Sequence, residues 1–216
     1  MRRVVVIGGD AAGMSAAAQA SRGSEPVELV VFEKGDYTSY AACGLPYLVG
    51  GVVPDAARLV ARSPEQHRAN GIDVRTGHEV TAIDVASRAV EVRSLADGTT
   101  FRQPFDYLVI ATGASPIRPP FANIDAKGVA DLHTIPDAMA IDAAIRDRSP
   151  RRAVVVGGGY IGLEMVEALL RRGIGVTLVE KLDQPMATID PDMGARVADG
   201  LRQLGVELRL GVGVDG

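Results

Sequence analysis

The chain has 216 residues, of which 47% are hydrophobic and 23% are charged, and its formal net charge is −4. This composition predicts a globular protein with one large or two small cores. The negative charge provides no basic field for nucleic acid or anionic lipid, and no stretch is apolar for long enough to span a bilayer. We therefore expect no nucleic-acid or membrane partner and a cytoplasmic location.

The cysteine and histidine content limits the chemistry further. Cys43 is the one cysteine, so an internal disulfide framework is excluded, and no His/Cys cluster has zinc-like spacing. We expect no metal site. The three histidines, His67, His78 and His133, fall in predicted loops or strands without partners, so a structural or solvated role is expected for each.

The amino-terminal residues predict one βαβ unit. Residues 4–7 are a β-branched run typical of a buried strand, residues 8–13 are a glycine turn, and residues 14–21 are an alanine-rich helix. Residues 27–32 then predict a second buried strand of a parallel sheet, and Glu33 ends it.

A β-hairpin is predicted later in the first domain. Residues 89–93 and 99–102 are strand-like, and Asp97-Gly98 between them is a strong hairpin turn signal. Residues 107–111 predict one more buried strand, and the segment ASPIRPPF after it holds three prolines in eight residues, which indicates a stiff connection. We therefore expect a first domain over residues 1–117 and a second over 118–216.

The order of strand, turn, helix and strand begins again in the second domain. Residues 153–156 predict a strand, 157–162 a glycine turn, 163–171 a helix and 175–179 a strand that Glu180 ends. Two copies about 150 residues apart exceed any solenoid period. The sequence therefore predicts an α/β protein with two related Rossmann-like dinucleotide-binding domains.

The second turn, GGGYIG at residues 157–162, matches G-x-G-x-x-G completely. In this pattern the backbone approaches a pyrophosphate at a helix amino terminus, and the acid at the next strand end binds ribose hydroxyls. Glu180 favours an unphosphorylated ribose and hence NADH. Lys181, Arg171 and Arg172 nevertheless leave NADPH open.

The first turn, GGDAAG, keeps Gly8 and Gly13 but has Asp10 where the second glycine belongs. An acid beside a pyrophosphate is unfavourable unless its side chain turns away. Glu33, about 20 residues beyond Gly13, supports the pattern. Two such sites indicate electron transfer between a nicotinamide and a bound flavin, and the glycines alone leave open which domain binds which.

Cys43 lies in the segment SYAACGLPY, which we expect at a helix amino terminus near the carboxyl ends of the parallel strands. A helix amino terminus favours the nucleophilic thiolate, and Ser39 is placed to cap the helix or to bond in the same pocket. A lone cysteine is otherwise often a small buried hydrophobe. Here the position favours a reactive thiol.

Four segments carry a resemblance to a known family: GGDAAGMSAA, S-x-x-x-C-G-L-P-Y, YLVIATGASP and GGGYIGLE. The chain resembles the pyridine nucleotide-disulfide oxidoreductases, and within them the single-cysteine branch of coenzyme A disulfide reductases, NADH oxidases and persulfide reductases. The resemblance implies two glutathione reductase-like ββα three-layer domains, the first binding FAD and the second NAD(P)H. It also implies that the second domain is incomplete, that a dimerisation domain is absent, and that the full-length form is a homodimer.

The resemblance assigns roles to individual residues. It implies that Thr112 and Gly113 approach FAD, that Tyr160 shields the flavin, and that Glu164 lies near the nicotinamide, although an ordinary helix position is an equal alternative for Glu164. The complete set of expected cofactor-binding residues is Gly8, Gly9, Ala12, Gly13, Glu33, Lys34, Val80, Thr112 and Gly113 for FAD, and Gly157, Gly159, Tyr160, Ile161, Gly162, Glu164 and Glu180 for NAD(P)H.

The same resemblance implies a catalytic cycle with one thiol. Leu45, Pro46 and Leu48 occupy the stretch where dithiol members have a second cysteine, so Cys43 is expected to attack a disulfide alone. The expected substrate-binding residues for a coenzyme A moiety are Ser15, Gln19, Arg22 and Ser39. Arg22 is either a phosphate clamp or a solvated helix-end arginine.

Two alternatives to a coenzyme A disulfide or persulfide reductase remain at this point. One is an NADH oxidase that reduces dioxygen through a Cys43 sulfenic acid. Ala42 stands where many coenzyme A reductases have asparagine, which counts against the coenzyme A assignment. The other is an inactive nucleotide-binding or redox-sensing fragment. A peroxidase is disfavoured because Ala11 stands where peroxidase-type relatives have histidine.

Overall fold

The computed structural model describes residues 1–214, which divide into two compact units. The first unit combines Met1–Ala41 with Leu59–Ala114, and the second combines Ala42–Arg58 with the residues from Ser115 onward. The segment Ala42–Arg58, expected in the first domain from its place in the sequence, thus makes its contacts within the second unit. The assignment of each unit to one cofactor stays a prediction.

Helices and strands alternate at the start of the chain and from α4 onward, and five strands follow one another between α3 and α4. None of the helices within residues 1–214 is long and apolar enough to cross a membrane. In chain order the elements are β1 (Arg2–Ile7), α1 (Ala11–Ser21), β2 (Val27–Phe32), α2 (Leu45–Val49), α3 (Pro64–Ala69), β3 (Asp73–Arg75), β4 (His78–Asp84), β5 (Ala89–Ser94), β6 (Thr100–Pro104), β7 (Tyr107–Ile110), α4 (Ile135–Arg148), β8 (Arg152–Val156), α5 (Tyr160–Arg171), β9 (Gly175–Glu180), α6 (Pro191–Gln203) and β10 (Glu207–Leu210).

The first unit has three layers. Its parallel sheet has the strand order β3-β2-β1-β7, and a separate antiparallel sheet has the order β4-β5-β6. Val4 and Val6 of β1 pack with Met14 of α1 on one face, whereas Val5 packs with Val90 of the antiparallel sheet on the other. Because both faces of β1 are covered over residues 4–7, that part of its sequence is continuously apolar rather than alternating. This ββα layering is the expected fold, including the predicted hairpin.

The second unit repeats the parallel arrangement with the strand order β10-β9-β8. Leu178 of β9 is fully buried and shares a core with Val166 and Leu169 of α5 and Leu201 of α6. The short helix α2 packs against α4 and α5 in the same unit. These contacts explain why the segment that follows Cys43 belongs here.

Several elements differ from the sequence expectation. Helices α1 and α5 begin at Ala11 and Tyr160, inside the glycine pattern, because the last residues of each turn already form the first helical turn. Two helices were missed, although each has a recognisable start. Ser63 and Gln66 form a capping box before α3, and Asp190 with a following proline precedes α6.

The strand β7 was expected to be buried but is partly exposed. Tyr107 is 52% exposed and Ile110 is 63% exposed. The physical reason is its place in the sheet, since β7 forms an edge of the parallel sheet among the described residues. Apolar character alone does not distinguish such an edge strand from a central one.

The third glycine of each turn holds a helix against the turn that precedes it. A Cβ atom on Gly13 would lie 1.9 Å from the carbonyl oxygen of Gly8, and a Cβ atom on Gly162 would lie 1.9 Å from that of Gly157. No side chain fits at either position without moving backbone. Both glycines are therefore required by packing, independently of any ligand.

We predict opposite effects for two glycine-to-alanine changes in the second unit. Gly162→Ala should lower the free energy of unfolding by about 1–3 kcal/mol, because the new methyl group overlaps backbone. Gly200→Ala, in α6 with no neighbouring atom within 4 Å of the new methyl group, should raise it by about 0.5–1 kcal/mol. Urea denaturation of each variant measures both values. Equal stability of the two variants would contradict the crowding argument.

Candidate functional site

Both glycine turns are closed by the same backbone hydrogen bond. The amide of Gly8 donates to the carbonyl of Phe32 at 2.8 Å, and the amide of Gly157 donates to that of Val179 at 2.8 Å. The two glycines have φ values of 107° and 101°, which only glycine adopts readily. The two predicted fingerprints therefore have one backbone geometry, despite the imperfect match of the first.

The strand-end acid of the first unit binds two backbone amides. Glu33 accepts from the amide of Gly9 through Oε2 at 2.6 Å and from that of Gly35 through Oε1 at 2.7 Å. Each carboxylate oxygen keeps a further lone pair that can accept from a hydroxyl. Glu33 is thus both part of the turn and a fixed acceptor beside it.

The acid of the second unit makes equivalent bonds. Glu180 accepts from the amide of Gly158 at 2.6 Å and from that of Leu182 at 2.8 Å. The carboxylate has the same place relative to its glycine turn as Glu33 has in the first unit. The sequence repeat is therefore also a repeat of hydrogen bonds.

A third contact that both units share joins the loop after the second strand to the glycine turn. The amide of Ser39 donates to the carbonyl of Gly9 at 3.1 Å, and the amide of Met186 donates to that of Gly158 at 2.8 Å. Ser39 and Met186 also share a left-handed backbone, with φ values of 48° and 52°. The sequence gives no sign of this equivalence, because the two residue types have nothing in common.

Asp10, the departure from the glycine pattern, turns its side chain to the protein. Its Oδ1 accepts from the amide of Tyr40 at 3.1 Å. Burial raises the pKa of Asp10, although hydrogen bonds from the Tyr40 and Ala11 amides act in the opposite direction. The Asp10 side chain is thus turned away, as an acid at this position of the glycine pattern must be. At the corresponding Gly159 of the second unit, no atom lies within 4 Å of a Cβ position.

Five of the expected FAD-binding residues line one cleft of about 210 Å³ in the first unit. Lys34 at its edge forms an ion pair with Glu79 at 2.9 Å. Hydrogen bonds from Lys34 and Arg93 lower the pKa of Glu79, so this carboxylate is held ionised. Glu79 and His78 are lining residues that sequence reasoning missed, since only the fold brings β4 to this edge. The full lining is Ile7, Gly8, Phe32, Glu33, Lys34, His78, Glu79, Val80 and Thr112.

Among the remaining expected cofactor residues, Gly9 and Gly13 of the first turn are buried, whereas several others are accessible. Ala12 is exposed in the first turn of α1, and Gly113 has no atom within 4 Å of a Cβ position. In the second unit, Tyr160 and Ile161 are exposed at the start of α5. Glu164, one turn later, is partly buried and lines a small pocket that α2 also borders.

The two arginines that left NADPH open both have protein partners, and Arg172 is the more firmly held. Arg172 donates to the carbonyl of Val49 at 3.1 Å and to Asp142 at 2.8 Å. Arg171 pairs with Glu167 on the surface of α5 at 3.4 Å. Lys181, unlike Arg171 and Arg172, has no such contact with an acid or carbonyl within residues 1–214.

Cys43 is a free, exposed thiol. It lies in the 3₁₀ turn Ala42–Gly44, and α2 follows with only five residues. The expected full helix terminus is therefore replaced by a short turn and a short helix. Ser39 does not cap this helix, because its hydroxyl bonds to the ring of His67 at 3.0 Å instead.

The expectation that the histidines lack partners is wrong for His67 and His78. His67 lies on α3, is 3% exposed and bonds to Ser39. Burial lowers the pKa of His67, and the charge of Arg62 adds to this effect. His78 Nδ1 lies 2.7 Å from the carbonyl oxygen of Thr76. Tertiary contacts from distant segments create both environments, so spacing in the sequence does not reveal them.

The three expected substrate residues on α1 share one exposed side of the helix. Ser15, Gln19 and Arg22 are spaced by four and three residues, which places them along one helix face. Arg22 donates to Gln19 at 2.9 Å. The structure thus brings these three together but leaves Ser39 in the loop after β2.

Fold and site together define an α/β protein with two Rossmann-type dinucleotide-binding folds. The chain belongs to the pyridine nucleotide-disulphide oxidoreductase family, whose model matches residues 2–216. It is 36% identical over 211 residues to an NADH oxidase of Methanocaldococcus jannaschii, covering 96% of this chain and 47% of the relative. It is 32% identical over 211 residues to a coenzyme A disulfide reductase of Staphylococcus epidermidis, covering 97% and 48%. The chain therefore spans about half the length of these curated relatives.

Solved structures agree with the fold. The reduced CoADR-RHD of Bacillus anthracis matches with a TM-score of 0.97 and 40% identity, over 100% of this chain and 39% of that one. The water-forming NADH oxidase of Lactobacillus brevis bound to NADH matches with a TM-score of 0.92 and 32% identity, over 100% and 48%. The expected α/β architecture and family are confirmed.

We predict that Asp10→Asn stabilises the first unit at neutral pH. Because the pKa of Asp10 is raised in the folded state, its contribution to stability falls as pH rises through that pKa, and it is unfavourable at pH 7. Asparagine keeps an acceptor for the Tyr40 amide without the buried charge. The gain should be at most about 1 kcal/mol at pH 7 and smaller at pH 4, because the group is partly exposed.

Chemical denaturation at both pH values measures this gain. Asp36→Asn, at an exposed acid of the same unit, is the matched control and should leave stability unchanged. A less stable Asp10→Asn protein at pH 7 would show that the charge itself is needed for the turn.

Proposed function

We propose that the protein is an FAD-dependent oxidoreductase that passes electrons from NAD(P)H through FAD to Cys43, which reduces coenzyme A disulfide or a related disulfide or persulfide. The observation that carries this proposal is the pair of glycine turns with identical hydrogen bonds, one in each unit, combined with an exposed, unpaired thiol. Two nucleotide sites and one thiol are the parts that such a relay requires.

The residues of the first unit fit a flavin dinucleotide. The cleft of about 210 Å³ is open, and Glu33 keeps acceptor capacity for a ribose. The exposed start of α1, which includes Ala12, would present backbone amides to the pyrophosphate, and Thr112-Gly113 would border the flavin, because no atom lies within 4 Å of a Cβ position at Gly113. When bound, FAD takes up two electrons from a reduced nicotinamide and supplies them to a disulfide.

The residues of the second unit fit a nicotinamide dinucleotide. Gly159 has an ordinary φ of −78° and open space at its Cβ position, so neither strain nor packing requires glycine there. Close approach of a pyrophosphate does require it. Glu180 would accept from the adenine ribose, and because Arg172 is bonded to Val49 and Asp142 we favour NADH.

Cys43 would act as the single nucleophile. Its thiolate attacks one sulfur of the substrate disulfide, forms a mixed disulfide with that half and releases the other half as a thiolate. Two electrons and one proton then cleave the mixed disulfide, which restores the Cys43 thiolate and releases the second half as a thiol. This cycle needs no resolving thiol, in keeping with the one cysteine of the sequence.

The substrate class rests on the exposed face of α1 and on the relatives. Arg22, held by Gln19, would bind a phosphate of coenzyme A, and Ser15 would extend this surface. One relative is a coenzyme A disulfide reductase, and another, 38% identical over 211 residues, is a CoA-dependent NAD(P)H sulfur oxidoreductase of Pyrococcus abyssi. Both names support a substrate that contains coenzyme A.

An NADH oxidase is the second candidate. Relatives of that name are 36% and 37% identical to this chain, from Methanocaldococcus jannaschii and Enterococcus faecalis. For this candidate, the Cys43 thiolate takes an oxygen atom from hydrogen peroxide, the product of two-electron reduction of dioxygen, and two electrons with one proton then return the sulfenic acid to the thiolate and release water. Oxygen consumption without added disulfide, compared with turnover of coenzyme A disulfide and persulfide, distinguishes the two candidates.

We predict that Cys43→Ser abolishes disulfide reduction but keeps nicotinamide-dependent bleaching of the flavin. A serine hydroxyl is a far weaker nucleophile than a thiolate, so steady-state turnover of coenzyme A disulfide should fall by at least about 100-fold. The protein is expressed from its complete reading frame, and flavin reduction is followed by absorbance. Ala42→Ser, the adjacent exposed position, is the control and should retain activity. Undiminished turnover in Cys43→Ser would overturn the assigned role of the thiol.

A further inference from the structure

Ser39 and His67 form a hydrogen-bonded pair beside the first glycine turn. The hydroxyl Oγ of Ser39 lies 3.0 Å from Nε2 of His67, which is 3% exposed. The backbone of Ser39 is fixed on both sides, since its amide donates to Gly9 at 3.1 Å and its carbonyl accepts from Ala61 at 2.9 Å. The left-handed φ of 48° is the strained conformation that these contacts maintain. The backbone contacts therefore fix the position of the Ser39 Cα atom, and the hydrogen bond to His67 fixes its hydroxyl.

The buried surroundings of His67 indicate which ring nitrogen carries the proton. Nδ1 is buried and has no hydrogen-bond partner within residues 1–214. A neutral imidazole has one donor nitrogen and one acceptor nitrogen. Because buried N–H groups without an acceptor are rarer than buried acceptors without a donor, the proton belongs on Nε2. The charged ring would need acceptors at both nitrogens, and burial accordingly lowers the pKa of His67.

This tautomer determines what Ser39 can offer to a ligand. If His67 Nε2–H donates, Ser39 Oγ accepts, and the hydroxyl proton of Ser39 remains available. Because the Ser39 oxygen already accepts from His67, the hydroxyl of Ser39 is oriented to donate its proton to another group. It suits an oxygen acceptor such as an amide carbonyl or a phosphate, both of which coenzyme A carries.

We propose that His67 is a positioning residue for substrate binding, which holds the Ser39 hydroxyl so that its proton is donated to an oxygen of the disulfide substrate. This inference rests on the proposed function, because it takes Ser39 as a substrate contact. His67 itself does not touch the substrate; it acts through Ser39. It adds a role for a histidine that the sequence pattern marks as unpartnered.

Substitutions of His67 test the role in steady-state kinetics. His67→Phe keeps a ring in the site but removes the donor, and it should raise KM for coenzyme A disulfide about tenfold, the value of one net hydrogen bond. KM for NADH and the rate of flavin reduction should not change. His67→Gln supplies an amide donor in place of Nε2–H and should restore most of the affinity. In a Ser39→Ala background, His67→Phe should have no additional effect on KM.

Ser63→Ala is the matched control for helix stability. It breaks the capping box of α3 but leaves the His67–Ser39 hydrogen bond in place. It should lower thermal stability without changing KM for coenzyme A disulfide. If Ser63→Ala raised KM as much as His67→Phe does, the effect of His67→Phe would be explained by loss of α3 stability, and the inference would be overturned.

The tautomer is measured independently of turnover by long-range ¹H–¹⁵N correlation spectroscopy of the unaltered protein. A protonated Nε2 and an unprotonated Nδ1 are expected, and the reverse assignment would overturn the inference. An active protein in which His67→Phe leaves KM unchanged contradicts this inference alone. An unaltered protein that does not reduce coenzyme A disulfide contradicts the proposed function, and this inference with it.

Discussion

The hydrogen bond from a glycine-turn amide to a strand-end carboxylate is the interaction on which the rest of the structure depends. In the first unit it joins Gly9 to Glu33, and in the second it joins Gly158 to Glu180, each at 2.6 Å. It connects the ends of two neighbouring parallel strands, where a ligand can reach both. This contact thereby holds together the turn, the helix that follows it and the carboxylate at the strand end.

The two copies preserve this geometry with different side chains. Asp10 stands where the second copy has Gly159, and the first copy tolerates it because the carboxylate bonds to the Tyr40 amide. Ser39 stands where the second copy has Met186, because only backbone atoms make the contact with the turn. Side chains at such positions are free to take on separate tasks. We propose that Ser39 does so through His67.

The sequence predicts the parts of the site that depend on local sterics. The third glycines are recognisable because a Cβ atom would overlap backbone, and the strand-end acids because each follows its turn at a similar spacing, 24 residues after Gly9 and 22 after Gly158. Long-range contacts are not recognisable in this way. The commitment of Arg172 to Val49 and Asp142, and the pairing of His67 with Ser39, join segments whose proximity only the fold creates.

We propose that the two nucleotide sites serve one transfer of electrons. An anaerobic titration of the FAD-loaded protein, expressed from its complete reading frame, tests it by following flavin absorbance as NADH or NADPH is added. We expect that the flavin is bleached, and that NADH is the more effective donor. A flavin that stays bound and oxidised in excess of both nicotinamides would contradict it.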